Sequence, residues 1–320
     1  MTLLHCAHAR AAAHRTDAHA IIACARCLIV GVLVGAMALA AAAIARAEST
    51  SATSSRDARD EATRAIPWRH MTPEARQTAQ LVVRDSAIYR RLPTRVIDCD
   101  PDVFNFLIQH PEVVTDVWRV MGISQVTLEK LADGAYRGSD GAGTNGLMRI
   151  LFAHSGPDGR NAAVVFADGS YRGQPFTSEL RAQSLLLLRW SAVEETNRRN
   201  YVTVRVDSFV RIEQLGIELV AKTVQPWIAK TADRNFIETL TFVSNFSRTA
   251  EKNPQGMQRL AGRLQGVDEP TRSALVALCF RTAERYAAND HSRLHQAALL
   301  ARSADARSHN NQTPGASPRF

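Results

Sequence analysis

The sequence predicts an α+β fold: a curved antiparallel sheet gripped by a long C-terminal helix, with an extra N-terminal helix and a small C-terminal helical appendix. Three observations predict it. Residues 201–212 alternate strictly, with Val202, Val204, Val206, Ser208, Val210 and Ile212 on one face and Thr203, Arg205, Asp207 and Arg211 on the other, the period of a half-buried strand. Immediately afterwards the period becomes helical, with Ile217, Val220, Val224, Trp227 and Ile228 continued by Phe236, Leu240, Val243 and Phe246, so an apolar stripe follows the last strand. The element order is strand, two short helices, several antiparallel strands and one long amphipathic helix, and a curved antiparallel sheet with an apolar face must be covered, as such a helix lying across it would do.

The elements follow in order. Cys27–Ile44 is a charge-free apolar run flanked by Arg10, Arg15 and Arg26 before it and by Ala45-Arg46-Ala47 after it. A short apolar core closed by a small-x-small box is an export signal, so residues 1–47 are expected to be a signal peptide, or an uncleaved anchor. The remainder is then periplasmic or secreted, or held at the inner membrane by that segment. Residues 48–66 lack an apolar period and are expected to be a linker. The main domain should span 67–253, the helical appendix 254–303 and a disordered tail 304–320.

Thr72-Pro73-Glu74 places a capping hydroxyl, a proline at the first helical position and an acid near the positive helix end, a helix start. Ala87–Cys99 reads as one edge strand on account of Pro93. Asp100-Pro101 and His110-Pro111 start two short amphipathic helices, the second closed by Gly122. Strands are expected from Val126 to Tyr136, Leu147 to His154, Ala162 to Phe166 and Leu180 to Val193, with a turn at Gly156–Gly159. Pro226 should kink or interrupt the long helix, and Asn253-Pro254 should end it. A further helix begins at Pro270.

Charge narrows the function classes. Lys and Arg number 39 against 31 Asp and Glu, a formal charge of +8; losing residues 1–47 lowers it to +5, since four arginines and Asp17 leave with them. The remaining excess is spread along the chain and forms no stripe, which is poor support for nucleic-acid binding. Cys24 and Cys27 sit at the mouth of the signal core, outside the folded context that a redox or metal C-x-x-C needs. The exported chain keeps Cys99 and Cys279, expected to be separate thiols.

Several constellations invite chemistry and each has a structural explanation. His154 closes a strand with Met148, Ile150 and Phe152 on its own face, and would be the only catalytic candidate if that face lined a cavity. Asp98, Asp100 and Asp102 alternate as cation ligands do, but capping by Asp100 accounts for their position. Gly138, Gly141, Gly143 and Gly146 lack the lysine and following helix of a phosphate loop. His291 and His295 lack the glutamate of a metalloprotease helix. No metal or cofactor is expected.

Two stretches carry a family resemblance. DPDVFNFLIQHPEVVTDVWRVMG (100–122) is similar to the paired short helices after the first strand of the START-like superfamily, also called the helix-grip or polyketide cyclase/lipid-transport fold. YVTVRVDSFVRIEQLGIELVAKTVQPWIAKTADRNFIETLTFV (201–243) is similar to its last strand and gripping helix. The resemblance covers about residues 87–252 and carries no catalytic signature. It implies a cavity between helix and sheet for an apolar or amphipathic small molecule, with walls from Phe152, His154, Trp190, Val206, Trp227 and Phe236. The expected function is therefore ligand binding by an exported protein. The alternatives are a cyclase, dehydratase or hydrolase on the same fold, or an envelope interaction module.

Overall fold

The computed structural model describes residues 51–156, 161–173, 179–213 and 217–310, with side chains described outside 217–228 and 291–310. The signal segment, the turn at Pro157–Gly159 and the last ten residues lie outside this set, as do the side chains of Val220, Val224, Trp227, Ile228, His291 and His295. Among the described residues no helix is long and apolar enough to cross a membrane.

Helices α1 (Arg56–Ala65) and α2 (Pro73–Arg84) come first. Ser55 caps α1 by accepting from the Ala58 amide, and Thr72 caps α2 by accepting from the Ala75 amide, with Pro73 in the first turn. The segment read as a linker thus holds a helix. Its buried face consists of Ala58 and Ala62, too small to register as an apolar period.

Next come β1 (Ile88–Arg91) and β2 (Arg95–Asp98), two short strands where the sequence suggested one. Pro93 lies between them, as its missing amide donor dictates, and both pair antiparallel with β8. Helices α3 (Pro101–Gln109) and α4 (Pro111–Val120) follow; Asp100 caps α3 through the amides of Asp102 and Val103. Strands β3 (Thr127–Lys130), β4 (Tyr136–Ser139), β5 (Thr144–His154), β6 (Asn161–Tyr171), β7 (Leu180–Glu194) and β8 (Asn200–Ile212) complete one antiparallel sheet in the order β1-β8-β7-β6-β5-β4-β3. The single strand expected over 126–136 is divided by a turn with Gly134 at φ +77°. In the β4–β5 hairpin, Gly143 has φ +116°, and a Cβ there would lie 2.3 Å from the Arg172 carbonyl oxygen, so the glycine-rich stretch is a turn.

The long helix α5 (Ile217–Lys252) runs on as one element through Pro226, so of the kink or interruption expected there the interruption does not occur. Helices α6 (Pro254–Ala261) and α7 (Glu269–Asn310) follow, the latter extending into the segment read as a disordered tail. Met257, Leu264, Leu275, Leu278 and Cys279 belong to the same buried cluster as Phe104, Val113, Val204 and Val243, so the C-terminal helices complete the main core. Cys99 and Cys279 are both buried in that cluster and both are free thiols.

The sheet is covered on both faces. On one lie α3–α7. On the other, α1 and α2 bury Ala62, Ala79 and Val82 against Tyr89, Val164, Leu185, Leu187 and Phe209. This second layer corrects the half-buried reading of β8: Asp207, assigned to a solvent face, is completely buried.

Candidate functional site

A partly open cavity of about 320 Å³ separates α5 from the sheet. Its floor is built from alternate residues of neighbouring strands. Antiparallel register aligns Ser208 with Leu186, Leu186 with Val165 and Val165 with Ile150. Residues directly opposite in such pairs share a face, and all four line the cavity. The roof is the inner face of α5, with Ala232, Asn235, Phe236, Leu240 and Val243, and the side wall comes from α3 and α4 through Phe104, Leu107, Val114 and Trp118. Leu147 lines the cavity yet is 43% exposed, so the β4–β5 end forms part of the mouth.

The inward positions of α5 are mostly apolar where described, with Asn235 and Thr239 as the polar ones; Leu240 and Val243 are 5% and 6% exposed. The helix meets the sheet at β2 and the neighbouring helices α3, α6 and α7. A bidentate contact from Arg90 of β1 to Asp233 of α5 ties the two layers; its Nε–Oδ1 bond is 2.9 Å. The cavity lies where the layers diverge.

The polar groups of the lining are few. Thr115 and Thr239 donate their hydroxyls to helical carbonyls one turn back, leaving Ser208 and Asn235 as polar groups of another kind. Among the described lining residues there is no carboxylate, imidazole, thiol, amine or guanidinium.

The structure separates the sequence-derived site residues. Val206 and Phe236 line the cavity. Trp190 is buried but stands outside the lining, its ring 5.7 Å from that of Phe104 and its indole N–H donating to Asn105 Oδ1 at 2.9 Å. The Trp227 side chain lies outside the described residues. Phe152 and His154 are on the opposite face. The β5–β6 register shifts between Ile150 and Phe152, a bulge that inserts one residue and reverses the later alternation. Phe152 consequently packs against the α1–α2 layer, while His154 is exposed and stacks on Phe152 with ring centroids 6.5 Å apart. His154 cannot act as an acid or base in the cavity from there.

The aspartates have structural partners. Asp98 accepts from Arg199, at 2.7 Å in the shortest contact, while Asp100 and Asp102 accept from Arg285. No group of three or more metal-ligating side chains occurs among the described residues. Asp207 belongs to an ion cluster beneath α1. It accepts from Tyr89 Oη at 2.6 Å, Arg91 Nε at 2.7 Å and an Arg189 terminal nitrogen at 2.8 Å. Glu61 of α1 accepts from Arg91, Arg189 and Arg205. Burial pushes the Glu61 carboxyl up, but the three guanidinium groups outweigh it and hold the group below its usual value. Burial, reinforced by the Asp207 charge, raises the Tyr89 phenol. The cluster anchors α1 to the sheet.

The lining that sequence reasoning missed is mostly Leu186, Leu188, Met148 and the α3–α4 wall. A run such as Leu185–Leu188 is apolar at every position and cannot disclose which residues face which layer. Ser208 did leave a signal, as the one hydroxyl among the inward valines of β8.

No family model matches this chain, and no curated protein matches it. Among solved structures the chain is similar to a conserved protein from Geobacillus kaustophilus, at 6% identity over 49% of this chain and 93% of that one, with a TM-score of 0.33. It is similar to the Zhui aromatase/cyclase from Streptomyces sp. R1128, at 10% identity over 52% of this chain and 97% of that one, TM-score 0.29. A third similar structure is apo dicamba monooxygenase, at 13% identity over 66% of this chain and 60% of that one, TM-score 0.25. The fold itself defines an architectural class: an α+β protein with a partly open apolar cavity between a curved antiparallel sheet and a long helix.

Proposed function

We propose that this chain is an exported, non-catalytic binding protein of helix-grip type that holds an apolar or amphipathic small molecule between α5 and the sheet. The observation that carries the proposal is the cavity itself. A well-packed interior leaves few voids larger than a water molecule, whereas this one keeps about 320 Å³ open under an apolar roof, within the range of small-molecule sites. The enzyme alternative is disfavoured by the outward position of His154 and by the lack of ionisable groups in the described lining. Export rests on the apolar run 27–44 and the Ala45-Arg46-Ala47 box, and would place the ligand outside the cytoplasm.

The test is uptake of the neutral fluorophore N-phenyl-1-naphthylamine. The protein is expected to bind it with enhanced, blue-shifted emission. Ala232→Phe, which projects a ring into the cavity from α5, should weaken uptake at least tenfold while circular dichroism stays unchanged. Absence of uptake by the wild-type protein, or equal uptake by a folded Ala232→Phe variant, would overturn the proposal.

A further inference from the structure

The cavity floor contains an unusual polar feature. Ser208 is 2% exposed and lines the cavity, and its Oγ has no hydrogen-bond partner among the described residues. Ser184 pairs with Val210, while Ser208 pairs with Leu186, so the two serines are diagonal neighbours on the same face of β7 and β8. Ser184 is fully buried and its Oγ also lacks a partner. Buried hydroxyls are almost always hydrogen-bonded, and leaving one unsatisfied costs free energy. An orphaned hydroxyl on an otherwise apolar cavity floor is therefore matched to something that enters the cavity.

The surroundings restrict what that can be. Arg90 sits directly opposite Ser208 in the β1–β8 register and so shares its face of the sheet, whereas the neighbouring Asp207 points to the opposite face and is held by Tyr89, Arg91 and Arg189. Both arms of the Arg90 guanidinium contact Asp233 of α5, so the pair is internally neutralised. No ionised group occurs in the described lining. A charged ligand head would lose its hydration without gaining a counter-ion, at a cost far above that of a neutral polar group. A hydroxyl or carbonyl would lose much less and could exchange one hydrogen bond with Ser208, which both donates and accepts.

Building on the proposed binding function, we infer that the ligand is a neutral, mostly hydrocarbon molecule bearing an alcohol or ketone group that seats on Ser208. Fatty acids and cationic amphiphiles of the same length are then discriminated against. Its hydrocarbon part occupies the space under Phe236 and Leu240 and extends towards the mouth at Leu147.

Displacement of N-phenyl-1-naphthylamine by matched ten-carbon probes tests this. Decan-1-ol and decan-2-one are expected to compete at least tenfold better than decanoate or decylammonium at pH 8. Ser208→Ala should lower the affinity for decan-1-ol about five- to tenfold, the effect of one lost hydrogen bond, with each displacement corrected for the variant's own fluorophore affinity. Its melting temperature should stay the same or rise, since the hydroxyl removed has no partner within the protein. Decanoate or decylammonium competing as well as decan-1-ol, an unchanged decan-1-ol affinity in Ser208→Ala, or a marked loss of stability in that variant would each overturn the inference. Fluorophore uptake without alcohol preference would refute this inference alone; no uptake by the wild-type protein would refute the binding proposal and this inference together.

Discussion

Asp207 gives the sharpest test of how the two layers are joined. Its carboxylate is fully buried and receives three hydrogen bonds, two of them from arginines. Asp207→Ala removes the charge but leaves Arg91, whose side chain is only 8% exposed, without its nearest buried counter-ion. At an effective dielectric constant of about 20, one such contact at 4 Å corresponds to about 4 kcal/mol. Glu61 remains on Arg91 at 2.7 Å and offsets part of this. Arg189, at 25% exposure, recovers water more easily. Removing one partner of a buried pair costs about 3–5 kcal/mol, and that is the loss expected for Asp207→Ala in urea unfolding followed by tryptophan fluorescence. Glu61→Ala should cost under about 1 kcal/mol, because the Glu61 side chain is 44% exposed and solvent screens its pairs. If Asp207→Ala lay within 1 kcal/mol of the wild type, or Glu61→Ala were as damaging, the reasoning about burial would be wrong.

Two further outcomes follow from the ionisable groups. Because the Glu61 carboxyl is held below its usual value of 4.5, its contribution should be complete above that pH and disappear as pH falls through the lower folded-state value. Glu61→Gln should flatten the dependence of stability on pH between 5 and 3, and an unchanged slope would show that Glu61 is not coupled to folding. Burial pushes both the Cys99 and the Cys279 thiol up to about 12, so neither should react with a disulfide reagent at pH 8 until the protein is unfolded in guanidinium; fast labelling of the native protein would place one of them at the surface.

Much of the architecture is local and was therefore legible in the sequence. Thr72 and Asp100, each followed by proline, mark helix starts because a side-chain oxygen and a ring-fixed φ act within one turn. The alternation over 201–212 disclosed β8, and the apolar spacing after it disclosed α5. Ser208 and Val206 were placed on the inner face of β8, and Phe236 on the face that became the cavity roof, since each of these follows from one element's own period. Together they supported a sheet held by a helix.

Only the tertiary structure decided which face each distant residue meets. One inserted residue between Ile150 and Phe152 carries Phe152 and His154 away from the cavity, and alternation in the sequence cannot register a bulge that exists only relative to a partner strand. Asp207 has the polar signature of a solvent-facing position, and it is buried because α1 and α2 cover that face. Their helical surface is largely alanine and valine, so its demand for burial was faint along the chain. The cavity has the same origin. It exists because α5 is pinned to the sheet by Arg90 and Asp233 and held at the other end by α3, α6 and α7, while the curved strands between them fall away. That separation is a relation among elements remote in sequence, and no single segment encodes it.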